Sequence, residues 1–164
     1  MNRNYNALIL KSVKITAGAI LAILFASCLN LKYSATAGII TILSIQNTKK
    51  ETIQTALARG EAFCCALLVS FLCYNFFGYT TAAFGIYLLI FTTLCLAMKW
   101  SSAIAMDSVL ITHFLAEKTM NIPMIANEIS LFLIGAGIGV LLNLSLRPKE
   151  NAWKDKMAEA DESI

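Results

Sequence analysis

Residues 125–146, IANEISLFLIGAGIGVLLNLSL, decide the fold. Coiled as an α-helix the stretch is about 33 Å long, enough to cross a hydrocarbon core of roughly 30 Å. It carries one formal charge, at Glu128. Five more apolar runs lie upstream: Val13 to Leu29, Tyr33 to Thr48, Glu61 to Phe77, Thr81 to Met98 and Trp100 to Ala116. Polar punctuation separates them, as Asn30-Leu31-Lys32, Lys49-Lys50-Glu51, Phe77-Gly78-Tyr79, Lys99 and Asn121-Ile122-Pro123. The chain is 58% hydrophobic and 14% charged, with a mean hydropathy of +0.69. A soluble domain of this length needs far more charge to cover its surface. The expectation is an all-α integral membrane bundle of about six transmembrane helices over residues 1–148, followed by a short charged cytoplasmic tail over 149–164. The tail is expected to be helical, with Trp153, Met157 and Ala160 on one amphipathic edge. No small-residue cleavage site follows the first apolar run, so it reads as a retained helix rather than a signal peptide.

Charge sets the orientation. With both termini in the cytoplasm and six spans, Arg3, Lys11, Lys14, Lys49, Lys50, Arg59, Lys99, Arg147, Lys149, Lys154 and Lys156 fall inside, and Lys32 and Lys118 outside. Lys and Arg bias of this kind orients membrane helices, and an odd number of spans would spoil it. The net charge of +3 is thereby a topology signal and gives no reason to expect a nucleic-acid partner. The cysteines, Cys28, Cys64, Cys65, Cys73 and Cys95, lie in or at the ends of apolar runs with no C-x-x-C pair, so they read as small hydrophobes. A single histidine, no nucleophile elbow, no metal-ligand cluster and no phosphate loop leave no enzymatic signature, and no cofactor or metal is expected.

Polar residues inside the runs are the candidates for function. In the second run Ser34, Thr41 and Thr48 recur every seven residues, with Gly38 and Ser44 near the same face. Such a lane either holds helices together or lines a wet path. The sixth run places Glu128, Gly135 and Gly139 on nearly one face, and Gly135-x-x-x-Gly139 is a close-packing pattern. Glu128 beside that contact must find a partner or bind a proton, unless it lies solvated at the interface. The fifth run holds Asp107 near its middle and His113 farther out. A charge at mid-bilayer costs roughly 2.5–3.5 kcal/mol on insertion scales, and histidine titrates near neutrality. His113 is open to a structural hydrogen bond or a proton relay. Lys14 and Arg59 are either snorkelling anchors or the lining of an anion vestibule.

The chain resembles the transmembrane domain of the aromatic acid exporter family, within the fusaric-acid-resistance-like superfamily. The residues that carry the resemblance are Lys14 to Ala19, Ser34 to Ile40, Leu43 to Lys50, Val109 to His113, Asn127-Glu128 and Leu133 to Gly139. The second-run motif ending in Lys49-Lys50 is the most specific of them. Similar members carry a further cytoplasmic helical domain after the sixth span, where this sequence has Lys149 to Ile164. The resemblance implies efflux of organic anions such as hydroxylated aromatic acids across the inner membrane. It also implies a dimer, as in related plant anion channels. On that reading Lys14, Ser34, Thr41, Ser44, Thr48, Lys49, Lys50 and Arg59 form the substrate path, while Asp107, His113 and Glu128 bind or relay protons. Gly38, Gly135 and Gly139 pack helices. The alternative is a non-transporting scaffold that docks a partner through its cytoplasmic face.

Overall fold

The computed structural model describes residues 2–45 and 49–145. Six helices follow one another: α1 Asn2–Cys28, α2 Ala35–Leu43, α3 Lys49–Phe77, α4 Thr81–Ala97, α5 Ile104–Glu117 and α6 Ile122–Ser145. No strand occurs among the described residues. Three helices contain stretches long and apolar enough to cross a membrane, Lys11–Cys28, Glu51–Phe77 and Ile122–Leu144. In α3 only 33% of that stretch is buried within the protein. Large apolar side chains such as Leu21, Leu68, Phe76, Leu89 and Leu141 point outward. A surface of that kind belongs in lipid.

The helices depart from the apolar runs in two ways. α1 and α3 begin well upstream of their runs, because polar residues at Asn2–Ser12 and Lys49–Gly60 continue the helix beyond the apolar stretch. α2, by contrast, is nine residues long where the run from Tyr33 to Thr48 led us to expect a span. Nine residues rise about 13.5 Å, under half a hydrocarbon core. The 14 residues of α5 rise about 21 Å, and the 17 of α4 about 25 Å. The tail expected after residue 148 lies outside the described residues.

Local chemistry explains the ends. Thr80 caps α4, its hydroxyl accepting from the Ala83 amide at 3.1 Å. Asn121 does the same for α6 through the Met124 amide, and Pro123 sits in the first turn where its missing N–H costs nothing. α1, α4 and α5 stop at residues in the left-handed region, Asn30, Lys99 and Lys118. At each stop the next amide reaches back five residues, to Ala26, Cys95 and Phe114.

Packing divides the molecule into two groups. α1, α2 and α6 pack on one another around Ala22, Ala37 and Ile40. α3, α4 and α5 pack around Tyr74, Tyr87, Phe91 and Phe114. Contacts of α3 with α6 and of α2 with α5 join the groups. α2 and α5 lie side by side in opposite directions, since Thr36 meets His113 at one end while Arg59 bridges Leu43 and Ser102 at the other.

Candidate functional site

At the Lys32 end of the molecule, three elements converge on a buried carboxylate. Glu128 on α6 is 0% exposed. Its Oε2 lies 2.7 Å from Nδ1 of His113 on α5, and its Oε1 accepts from Asn127 Nδ2 at 3.0 Å. The Asn127 amide also brackets the backbone of Lys32, accepting from its N–H at 2.8 Å and donating to its carbonyl at 3.1 Å. The α1–α2 loop is thereby fastened to α6. The second ring nitrogen of His113 lies 3.4 Å from the Thr36 hydroxyl, and the Tyr33 ring stacks on the imidazole at 4.0 Å. Tyr33 holds that position with φ +58, unusual for a bulky residue. Of the placements open to Glu128, the structure has the partnered one.

This arrangement accepts His113 neutral or charged. With a proton on both nitrogens it donates to Glu128 and to Thr36; with one proton, on Nδ1, it donates to Glu128 and accepts from Thr36. A proton can be held or released without a change of partners. His113 and Glu117 share a face of α5 but make separate contacts. Glu117 instead meets Lys32 Nζ at 2.7 Å and accepts from the Tyr33 hydroxyl at 3.2 Å. The hydrogen bond from Lys32 holds the Glu117 carboxyl below its ordinary range, and the same bond holds the Lys32 ammonium above its own. A cavity of about 230 Å³ opens beside this cluster, between Lys32, Asn121 and Asn127.

At the opposite end Arg59 is not a snorkelling anchor. It is 5% exposed and donates to the Ser102 carbonyl at 3.1 Å and the Leu43 carbonyl at 2.9 Å, with Ser44 Oγ at 3.5 Å. One guanidinium thus staples α3 to the C-terminal end of α2 and to the turn before α5. Asn143 hydrogen-bonds Thr52 nearby, joining α6 to α3. Lys14 is exposed on α1, and Lys49 and Lys50 open α3. Thr48 lies outside the described residues.

The hydroxyls of α2 make helix contacts. Thr41 donates to the carbonyls of Ala37 and Gly135, and Ser44 to that of Ile40. Ser34 accepts from Ser27 at 3.0 Å. Gly135 and Gly139 receive α2 closely, at Ala37–Ile40 and at Thr41–Ser44, and Gly38 receives Ala19 and Ile23 of α1.

Asp107 is hydrogen-bonded to neither cluster. The sequence put it near the middle of a span; because α5 starts only at Ile104, it occupies the first helical turn. It is 0% exposed, and neither carboxylate oxygen has a hydrogen-bond partner. The hydroxyls of Tyr87 on α4 and of Ser108 are likewise buried and unpartnered. Nothing in the sequence singles out Tyr87, which looks like one more core aromatic in an apolar run. Asn127, Thr36 and Tyr33 are recognisable only once the fold brings them to His113 and Glu128.

The family described as aromatic acid exporter family member 1 matches residues 7–146. The chain belongs to the aromatic acid exporter family. Its membrane helices and family membership make it a multi-pass membrane protein of an exporter family. The chain is similar to a protein of Bacillus subtilis (strain 168) named "Uncharacterized protein YqjA", at 36% identity over 152 residues. That match covers 91% of this chain and 47% of the relative, so the chain spans about half the length of the curated relative it matches. No solved structure matches it.

Proposed function

We propose that this aromatic acid exporter moves organic anions, aromatic carboxylates among them, out across the cell membrane and couples that movement to protons. The observation that carries the reading is the burial of Arg59, Asp107, His113 and Glu128 inside a bundle whose outer surface is apolar. Ionisable groups so placed are expensive and are kept where ions or protons pass. On this reading Glu128 and His113 hold a transported proton, with Asn127 sensing the α1–α2 loop. Arg59 and the lysines at Lys14, Lys49 and Lys50 draw the anion to the opposite end. Thr41 and Ser44 line the α2–α6 contact along which the path runs, and we assign Ser34 and Thr48 to the same path.

The test is efflux of a radiolabelled hydroxybenzoate from vesicles reconstituted with the purified protein, with and without a pH gradient. Flux above that of empty vesicles, and a response to the gradient that Glu128→Gln removes, are the expected results. Glu128→Gln keeps the shape of the carboxyl and one of its two acceptor oxygens but cannot release a proton. Flux equal to that of empty vesicles would favour a membrane scaffold instead.

A further inference from the structure

The side chains of Tyr87, Asp107 and Ser108 present four buried oxygen atoms with no hydrogen-bond partner. Native interiors leave few such atoms, and a group of them in one place asks for a reason, a binding role among them. These are neighbours. The Tyr87 hydroxyl lies beside that of Ser108 and in the field of the Asp107 carboxylate. Two positive influences act on the same spot. The Arg59 charge reaches Asp107 across space, although its hydrogen bonds go to Leu43, Ser44 and Ser102. The first turn of α5, with the positive end of its helix dipole, holds Asp107 itself.

That positive field can be balanced in two ways. An ionised Asp107 balances it alone, but then offers only acceptors and repels a second carboxylate. A protonated Asp107 leaves the field uncompensated and adds a third O–H donor to those of Tyr87 and Ser108. Three donors under a fixed positive charge match an incoming carboxylate. We propose that Tyr87, Asp107 and Ser108 form an occluded binding site for a carboxylate anion, completed when Asp107 takes up a proton. The identity of the ligand class rests on the exporter reading above. Tyr87 stands in a row of aromatic rings, its centroid 5.6 Å from that of Phe84 and 5.4 Å from that of Phe91, so the surroundings of the site are aromatic. Tyr87 and Asp107 are both shut off from solvent, so α4 and α5 part to admit the ligand.

Among the described residues, the titratable groups that face Asp107 are Arg59 from α3 and Tyr87 and Cys95 from α4. α2 contributes none between Ala35 and Leu43, and along α5 the next are His113 and Glu117. On this proposal Asp107 takes up a proton as the anion enters this site, while His113 and Glu128 keep the role given them above.

The experiment is binding of 4-fluorobenzoate to the full chain in nanodiscs, followed by fluorine NMR and by calorimetry in two buffers of different ionisation heat. Affinity is expected to rise as the pH falls, with about one proton taken up per anion. Tyr87→Phe and Ser108→Ala each weaken binding roughly tenfold. Asp107→Asn, which keeps an N–H donor, binds with the pH dependence and proton uptake gone. Wild-type binding that takes up no proton overturns the proposal, and that measurement needs no variant to fold. So does an affinity unchanged in both Tyr87→Phe and Ser108→Ala. If flux persists in vesicles while those variants bind normally, this site fails and the exporter reading stands. Proton-linked binding here without flux has the opposite meaning.

Discussion

A β-carbon on Gly135 would sit 2.6 Å from Ile40 Cβ and 2.7 Å from the Ala37 carbonyl oxygen, and one on Gly139 would sit 2.8 Å from the Thr41 carbonyl. Backbone cannot step aside as a side-chain tip can. Gly135→Ala should therefore cost about 1–3 kcal/mol through overpacking. Gly137 provides the control, because nothing lies within 4 Å of its β-carbon position. Gly137→Ala should be neutral or gain up to about 1 kcal/mol from helix propensity. Thermal unfolding in mild detergent measures both, and equal effects at the two positions would sink the account. The spacing of Gly135 and Gly139 announces a close approach in the sequence, but not its partner. That partner is α2, which comes from the far side of the chain. The same holds for Glu128. Its need for a partner is legible from one carboxylate in an apolar run, whereas His113 and Asn127 as the partners follow from the fold.

Among the elements, the short pair α2 and α5 is the part that the sequence conceals. Apolar run length is blind to where hydrogen bonding stops, so the run from Tyr33 to Thr48 gives no sign that its described helix is Ala35–Leu43. Nor does it foresee that the loop before α2 is folded onto α5 and α6 through Lys32, Tyr33 and Asn127. The Lys32–Glu117 bridge gives that loop a pH signature whose sign is fixed. Glu117 is held below its ordinary range by the hydrogen bond from Lys32, so its contribution is present above that range and disappears as the pH falls through the lowered value. Lys32 is held above its ordinary value of 10.5, so its contribution is present below that value and disappears as the pH rises through the raised one. The bridge accordingly acts across neutral pH and is lost at both extremes. It is exposed and small, and salt should weaken it. Wild type should melt above Glu117→Gln near neutrality, with the gap closing as the medium is acidified. A gap that stays constant down to acid pH would mean that the carboxylate charge is not responsible.

At the scale of the whole molecule, composition made a membrane bundle legible at once, and the described residues bear out an all-helical architecture with three helices long enough to span. The charge distribution predicts six spans with both termini inside, and that expectation is open to a direct test. In a background lacking the five native cysteines, Asn30→Cys and Asn121→Cys should react with an impermeant thiol reagent in intact cells. Lys99→Cys should react only after lysis. Labelling of position 99 in intact cells would overturn the six-span, N-terminus-inside arrangement. Assembly is the last step. The described helices make a thin bundle, and Gly135 and Gly139, the glycines suited to a close contact with a second copy, pack against α2 within the protomer. A passage for a bulky aromatic anion is easier to build between two such bundles than through one, so the protein is expected to form a dimer whose contact uses other surfaces. Native mass spectrometry from nanodiscs should find twice the 17.9 kDa chain mass. Because Gly135 works inside the protomer, Gly135→Ala should lower thermal stability while leaving the monomer–dimer balance unchanged. A single-chain mass in both nanodiscs and mild detergent would rule the dimer out, and a shift toward monomer in Gly135→Ala would move that glycine to the interface.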